Sequence, residues 1–258
     1  MESALVFEPV PGLPEWRAAH VAAIGSTNAA LAELARAGQA GEGRLWLTAG
    51  RQIAGRGRRG RNWASPPGNF AGSVLLVDPA PAALIGTLPL VAGLAARDAI
   101  AGELGEATSR VMLKWPNDVL VDGAKCCGIL LERTTLRDGR TAVIIGFGVN
   151  IATHPDDTPY PTTHLRAHRP DAGATGLFMR LAEACAAHLA LWNRGADIRA
   201  IRDRWLYHAS GLGHPITLRL ERDAHSGIFS DIDAEGHLIL RLPDDTSKRF
   251  AAGDVFFQ

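Results

Sequence analysis

VMLKWPNDVLVDGAKCCGIL, residues 111–130, is the stretch whose reading decides the fold. Asp122-Gly123 between two apolar runs is a strong two-residue hairpin signal. With those as the turn residues, Val121 pairs with Ala124 and Leu120 with Lys125, so Asp118 lies on the same face as Lys125 and diagonal to it. Diagonal neighbours stand about 7 to 8 Å apart, within reach of a lysine side chain. The ordinary reading is a weak surface ion pair. Lysine is scarce, however: of the 27 basic residues only Lys114, Lys125 and Lys248 are lysines, against 24 arginines. A chain so biased keeps lysine by chance or where a flexible primary ammonium does what a guanidinium cannot.

Working outward, residues 111–115, 119–121, 125–133 and 141–151 are rich in Val, Ile and Leu and read as strands. Upstream, residues 45–48 and 73–77 are strands, residues 4–7 carry a weak strand signal, and Ser26-Thr27-Asn28 opens an N-capped helix that ends before Gly38. Residues 82–104 predict one or two buried helices around Pro89, and apolar spacing predicts helices over 178–192 and 198–208. Residues 153–173, with four prolines, form an irregular surface stretch. From Gly211 the texture changes to short alternating strands (216–220, 227–232, 238–242, 249–256), which suggests a small barrel beside an α/β core. The expected division is 1–210 and 211–258, in the α/β (α+β) class.

The 258 residues are 47% apolar, enough for a substantial core, which excludes a disordered or fibrous chain. Acidic and basic residues balance at 27 each, so no global cationic field draws the chain to DNA or a membrane. The apolar run 79–100 is broken by Pro81, Pro89, Arg97 and Asp98, and no signal-like start is present; a soluble cytoplasmic protein with no membrane partner is expected. Cys126, Cys127 and Cys185 cannot make a disulfide framework or a Cys-x-x-Cys zinc site and read as buried small hydrophobes. His164 and His168 have i, i+4 spacing without a third ligand, so they read as solvated and no metal site is expected.

Between Gly43 and Val77 there is no acidic residue, yet six arginines occur: Arg44, Arg51, Arg56, Arg58, Arg59 and Arg61. The run from Gln52 to Trp63 interleaves them with Gly55, Gly57 and Gly60, so backbone can approach an anion and guanidiniums can fork onto its oxygens. Trp63 could stack on a base, and a mobile RNA-binding arm is the competing reading. No Walker loop or Gly-x-Ser-x-Gly occurs. Gly146-Phe147-Gly148-Val149-Asn150 fails as a dinucleotide fingerprint. It is either a close-packed strand end or a place where ligand lies on backbone and Asn150 reaches an adenine edge.

Ser26-Thr27-Asn28, Gln52 with GRGRRGR-x-W, KWPND, K-x-x-G-I-L and G-x-G-x-N occur in the order and approximate spacing of the biotin protein ligases, which this sequence resembles from about residue 20 to its end. The resemblance implies a catalytic domain with a mixed sheet, similar to class II aminoacyl-tRNA synthetases, and a C-terminal SH3-like β-barrel. It implies that biotin and ATP, with Mg²⁺, give biotinyl-5′-AMP and pyrophosphate, and that the adenylate then acylates a lysine of a biotin carboxyl carrier domain, in acetyl-CoA carboxylase or another carboxylase. It also implies that Ser26, Thr27, Asn28, Gln52, Gly55, Arg56, Arg58, Lys125 and Gly128 hold biotin. Arg58, Arg59, Arg61, Trp63, Lys114, Asn117, Gly148 and Asn150 then hold the nucleotide, and Lys125, Arg58 and Asp118 serve catalysis. Fewer than thirty residues precede Ser26, so the expected form lacks the N-terminal DNA-binding domain and has no specific DNA partner. A homodimer is compatible with the sequence but has no warrant in it. The alternatives are a lipoate or octanoate ligase of the same superfamily and a non-catalytic RNA-binding module.

Overall fold

The computed structural model describes residues 5–105 and 110–257. In chain order the elements are β1 (Glu8–Val10), β2 (Leu13–Val21), α1 (Thr27–Arg36), β3 (Gly43–Ala49), β4 (Phe70–Val77), α2 (Leu88–Leu104), β5 (Val111–Lys114) and β6 (Asp118–Val121). They continue with β7 (Ala124–Thr135), β8 (Thr141–Val149), α3 (Ala174–Trp192), α4 (Ile198–Tyr207), β9 (Pro215–Arg219), β10 (Ala224–Ile232), β11 (Leu238–Arg241), β12 (Ser247–Phe250) and β13 (Asp254–Phe257). Two compact units result: residues up to 79 with 126–177, and residues 80–125 with 178 onward.

The first unit is built on a mixed sheet in the order β1-β2-β3-β4-β8-β7. β2 and β3 are parallel and the other neighbours antiparallel. Residues 8–21, for which the sequence reading predicts no element, are an edge hairpin turned at Gly12, whose φ is +76°. The weak strand signal at 4–7 gives no strand at 5–7, and Ala4 lies outside the described residues. α1 starts as expected, with Ser26 accepting from the Ala29 N–H. Its apolar residues Leu31 and Ala35 pack on Leu45, Leu47, Leu75 and Ile144 of one sheet face.

Register explains what happens past the end of that contact. On the face under α1, Leu45, Leu75, Ile144 and Glu132 form one lateral row, Leu47, Ser73, Gly146 and Leu130 the next, and Ala49, Ala71, Gly148 and Gly128 a third. Side chains therefore shrink along the face towards the N-terminus of the helix, leaving a floor made largely of backbone.

The second unit centres on α2, which is apolar on nearly every side and buried accordingly. A 3-10 turn over Ala82–Thr87 precedes it, and Pro89 falls in its first turn, where a missing N–H costs nothing. Ala82–Leu104 is long and apolar enough to cross a membrane, but 72% of its apolar window is buried within the protein. The turn at Asp122-Gly123 has φ of 49° and 79°, as a tight hairpin requires. The strand expected over 249–256 is two strands, and β9 to β13 form an antiparallel sheet in the order β12-β11-β10-β9-β13. Trp115 Nε1 donates to the Gly236 carbonyl at 3.1 Å, and the Leu113 N–H to the His208 carbonyl at 2.8 Å. These bonds tie the KWPND segment to the β10–β11 turn and to the end of α4. All three cysteines are free and buried, and burial pushes the Cys185 thiol up, which makes it inert.

Asp98 on α2 bonds His188 Nε2 at 2.8 Å and Arg97 Nη1 at 2.8 Å. Burial pushes the Asp98 carboxyl up, but the hydrogen bonds and charges of His188 and Arg97 outweigh it and hold the group below the usual carboxylate range. A depressed folded-state value means that the stabilisation is full above the unfolded carboxylate pKa and is lost as pH falls through the folded one. Asp98 is 40% exposed, so solvent screens the pair and the effect is modest. Asp98→Asn should lower Tm at pH 7 by roughly 2–4 °C, the shift that about 1 kcal/mol gives at this size. The curves of the two proteins should converge towards pH 3; parallel curves down to pH 3 would contradict the assignment.

Candidate active site

In the first unit the parallel pair β2–β3 continues past its strand ends. Ile24 bridges Gln52, with Ile24 N–H to the Arg51 carbonyl at 3.1 Å and Ile53 N–H to the Ile24 carbonyl at 2.9 Å. This extension brings Gln52 to the start of α1. Gln52 Oε1 accepts the Thr27 N–H at 2.8 Å and lies 3.0 Å from the Thr27 hydroxyl. Thr27 Oγ1 is 2.6 Å from Ser73 Oγ, which is 2.6 Å from Asn28 Oδ1. Asn28 Nδ2 donates to Glu132 Oε2 at 2.8 Å. Ser26, Thr27, Asn28 and Gln52 are thus brought together as the sequence suggested. Ser73 and Glu132 join them unannounced, and the only signal was a polar residue inside an apolar strand.

The basic run is folded. The Gly57 N–H donates to the Arg61 carbonyl at 2.7 Å, the Trp63 N–H to the Gly55 carbonyl at 3.0 Å, and Arg56 bridges Asn62. Arg59 and Gly60 at the tip have φ of 55° and 71°. Arg56, Arg59 and Arg61 are exposed and Arg58 half-buried, on a hairpin bracketed by β3 and β4, which counts against a mobile RNA-binding arm. Gly55 is buried where a Cβ would stand 2.6 Å from the Trp63 carbonyl oxygen.

The loop lays the Trp63 indole on the floor of small residues. Cβ atoms added at Gly128 and Gly148 would lie 2.8 and 2.3 Å from that ring, and one at Gly146 would lie 2.4 Å from Asn28 Oδ1. Each glycine of the G-x-G-x-N motif therefore makes room for one site side chain of this same chain. Asn150 is buried: its Nδ2 donates to the Thr163 carbonyl at 3.1 Å and its backbone to the Cys126 carbonyl at 2.8 Å, so it also anchors the proline-rich segment. His164 and His168 in that segment are not simply solvated. His164 Nδ1 meets His154 Nδ1 at 2.7 Å and His168 Nε2 meets Thr163 Oγ1 at 2.9 Å, and burial together with His154 lowers the pKa of His164.

In the second unit Lys125 Nζ and Asp118 Oδ1 are 2.7 Å apart, both 15% exposed, as the hairpin register predicts. Lys114 lies directly across from Asp118. Its ammonium stands 5.6 and 5.4 Å from the Phe256 and Phe257 ring centres, within cation–π range. Burial holds Lys114 below the usual lysine range, opposed by Asp118 and Asp254 and reinforced by Lys125. Asn117 occupies the turn between β5 and β6, which contains the cis Trp115-Pro116 bond. Two flanking ammoniums around one carboxylate form a cationic row suited to a transferring phosphate or carboxylate.

Residues 22–150 match the model of the Biotin/lipoate A/B protein ligase family. The chain belongs to that family. Residues 211–258 match the biotin protein ligase C-terminal domain. Among relatives of this family member, a biotin–[acetyl-CoA-carboxylase] ligase of Paracoccus denitrificans is 40% identical over 223 residues, covering 83% of this chain and 91% of the relative. One of Mycobacterium tuberculosis is 34% identical over 250 residues, covering 93% and 89%. A biotin protein ligase from Aquifex aeolicus, solved in complex with biotin and ATP, superposes with a TM-score of 0.77 at 23% identity over 93% of this chain and 97% of that one, which establishes the likeness of fold.

Proposed function

We propose that this chain is a biotin–[acetyl-CoA-carboxylase] ligase. Biotin and ATP give biotinyl-5′-AMP and pyrophosphate, and the biotinyl group passes to a lysine of a biotin carboxyl carrier domain with release of AMP. The relatives' names support this reading, and one structural observation carries it. The polar group of Ser26, Thr27 and Gln52 and the flat Trp63 indole share one sheet face whose floor is Ala49, Ala71, Gly148 and Gly128. A fused bicycle with a urea edge asks for that combination of hydrogen-bonding groups and close backbone.

Attack of a carboxylate on the α-phosphate brings two anions together, so positive charge and positioning matter more than a strong base. Lys125 and Arg58 supply that charge in this reading. Arg56, Arg59 and Arg61 hold carboxylate and phosphate oxygens, Lys114, Asn117 and Asn150 serve the nucleotide, and Asp118 orients the incoming lysine. The Gly-Arg hairpin shields the mixed anhydride from water. Among the described residues, the carboxylates nearest these groups do not assemble into a cluster that would hold Mg²⁺. Asp118 and Glu132 are engaged by Lys125 and Asn28, and the one His/Asp/Glu group with metal spacing among the described residues, Asp233, Glu235 and His237, sits at the β10–β11 turn, where His237 bonds Asp233. Mg²⁺ would arrive on the phosphates of ATP. In this reading residues 1–210 carry the chemistry and 211–258 are the accessory domain.

ATP–pyrophosphate exchange measured with biotin, with lipoate or octanoate, and with neither tests the proposal. Exchange should require biotin; exchange supported by lipoate or octanoate alone, or none at all, overturns it. Arg58→Gly should shorten retention of the adenylate at least about tenfold and label bystander proteins, because a loosened hairpin no longer shields the anhydride. An unchanged half-life of the enzyme-bound intermediate would remove Arg58 from that role.

A further inference from the structure

We propose that Ser73 is a positioning residue that fixes the Thr27 hydroxyl as a hydrogen-bond acceptor towards the ligand, with Asn28 and Glu132 anchoring the arrangement. This rests on the reading of the site as one for a cyclic urea. The observation is a shortage of protons. Three oxygen–oxygen contacts run in series: Gln52 Oε1 to Thr27 Oγ1 at 3.0 Å, Thr27 Oγ1 to Ser73 Oγ at 2.6 Å, and Ser73 Oγ to Asn28 Oδ1 at 2.6 Å. The two hydroxyls bring one hydrogen each, and the two amide oxygens bring none.

The amide orientations are set from outside the series. Glu132 Oε2 takes the Asn28 NH₂ group, which turns Oδ1 towards Ser73, and the Thr27 N–H fixes Oε1 of Gln52. One contact must therefore lack a proton. At 2.6 Å two oxygens without a proton between them repel, whereas 3.0 Å is close to ordinary contact, so the proton is missing between Gln52 and Thr27. Ser73 then donates to Asn28, and Thr27 donates to Ser73. The Thr27 lone pairs are left for a ligand N–H, and the Gln52 NH₂ for a ligand carbonyl. Ser73 is fully buried and so acts on ligand not by contact but through the Thr27 hydroxyl it orients.

The test is a double-mutant cycle on the full chain, read as the biotin Kd by calorimetry and as KM and kcat in exchange. Ser73→Ala should weaken biotin about tenfold while leaving the KM for ATP within about twofold, since one hydrogen bond to the ligand is misdirected. In a Thr27→Val background, which has no hydroxyl to orient, Ser73→Ala should change nothing further; in Thr27→Ser its penalty should persist. If Ser73→Ala does not fold, Ser73→Cys, similar in volume but a poor hydrogen-bonding partner, should give the same pattern. Equal biotin affinity in the parent and the Ser73 variant overturns the inference, as does an additive penalty in the Thr27→Val background. A parent that neither binds biotin nor shows biotin-dependent exchange sinks the ligase reading itself.

Discussion

Lys125→Ala should slow biotin-dependent exchange by at least about a hundredfold, the scale on which loss of one preorganised electrostatic donor is felt. Lys125 Nζ lies 2.7 Å from Asp118 in surroundings that leave each side chain 15% exposed, so its charge is poorly screened. Its removal takes a cation from an anion–anion encounter and strips the Asp118 carboxylate of the Lys125 ammonium, leaving Lys114 across the β5–β6 pair. The loss should fall on kcat, with biotin KM changed less, because the charge matters most as the carboxylate reaches phosphorus. Exchange within a few-fold of the parent, in a variant that unfolds at the parent's Tm, would remove Lys125 from the chemistry.

Gly148→Ala comes second, with an expected rise of at least about tenfold in KM for biotin or ATP. A Cβ there would stand 2.3 Å from the Trp63 indole, closer than any real contact, so the ring must leave the floor. Alanine suits a strand better than glycine does, and Trp63 is half-buried on a loop that can yield. The variant should therefore fold with nearly parental Tm while binding poorly. In a Trp63→Ala background the added methyl has nothing to displace, and its penalty should vanish. Parental KM values in Gly148→Ala, or a penalty that survives loss of the indole, would show that the ring and the floor are not coupled.

Local chemistry was legible before the structure. The Asp122-Gly123 turn needs two adjacent residues, and the register it implies places Asp118 beside Lys125. The Ser26 cap is read the same way, from residues within one turn of helix. What resisted reading depends on partners far apart in the chain. Ser73 meets Asn28 across 45 residues and Glu132 meets it across 104, and no local pattern announces either. β2 was not read as a strand, because Pro9, Pro11, Gly12 and Pro14 lie at and before its start, yet Pro14 precedes the stretch that pairs with β3, from Arg17 onward, so the β2–β3 ladder misses no N–H. The division of the last strand at residues 251–253 went unseen because its one turn signal is the single Gly253, Ala251 and Ala252 carrying none. The glycines of the G-x-G-x-N motif were read either as a close-packed strand end or as space for a ligand; part of that space holds Trp63, a neighbour that sequence alone could not choose.

The floor of Ala49, Ala71, Gly148 and Gly128 also limits how such a protein can be re-engineered or can drift. Two of its four positions have no side chain left to trim, and the other two have a single methyl each. Mutation at the floor can therefore raise it but scarcely lower it. Widened tolerance for bulkier acyl donors must come from the lid side, at Trp63 or along the hairpin that carries it. A selection for bulky substrate analogues should accordingly recover variants clustered in residues 55–63 and leave the four sheet positions untouched.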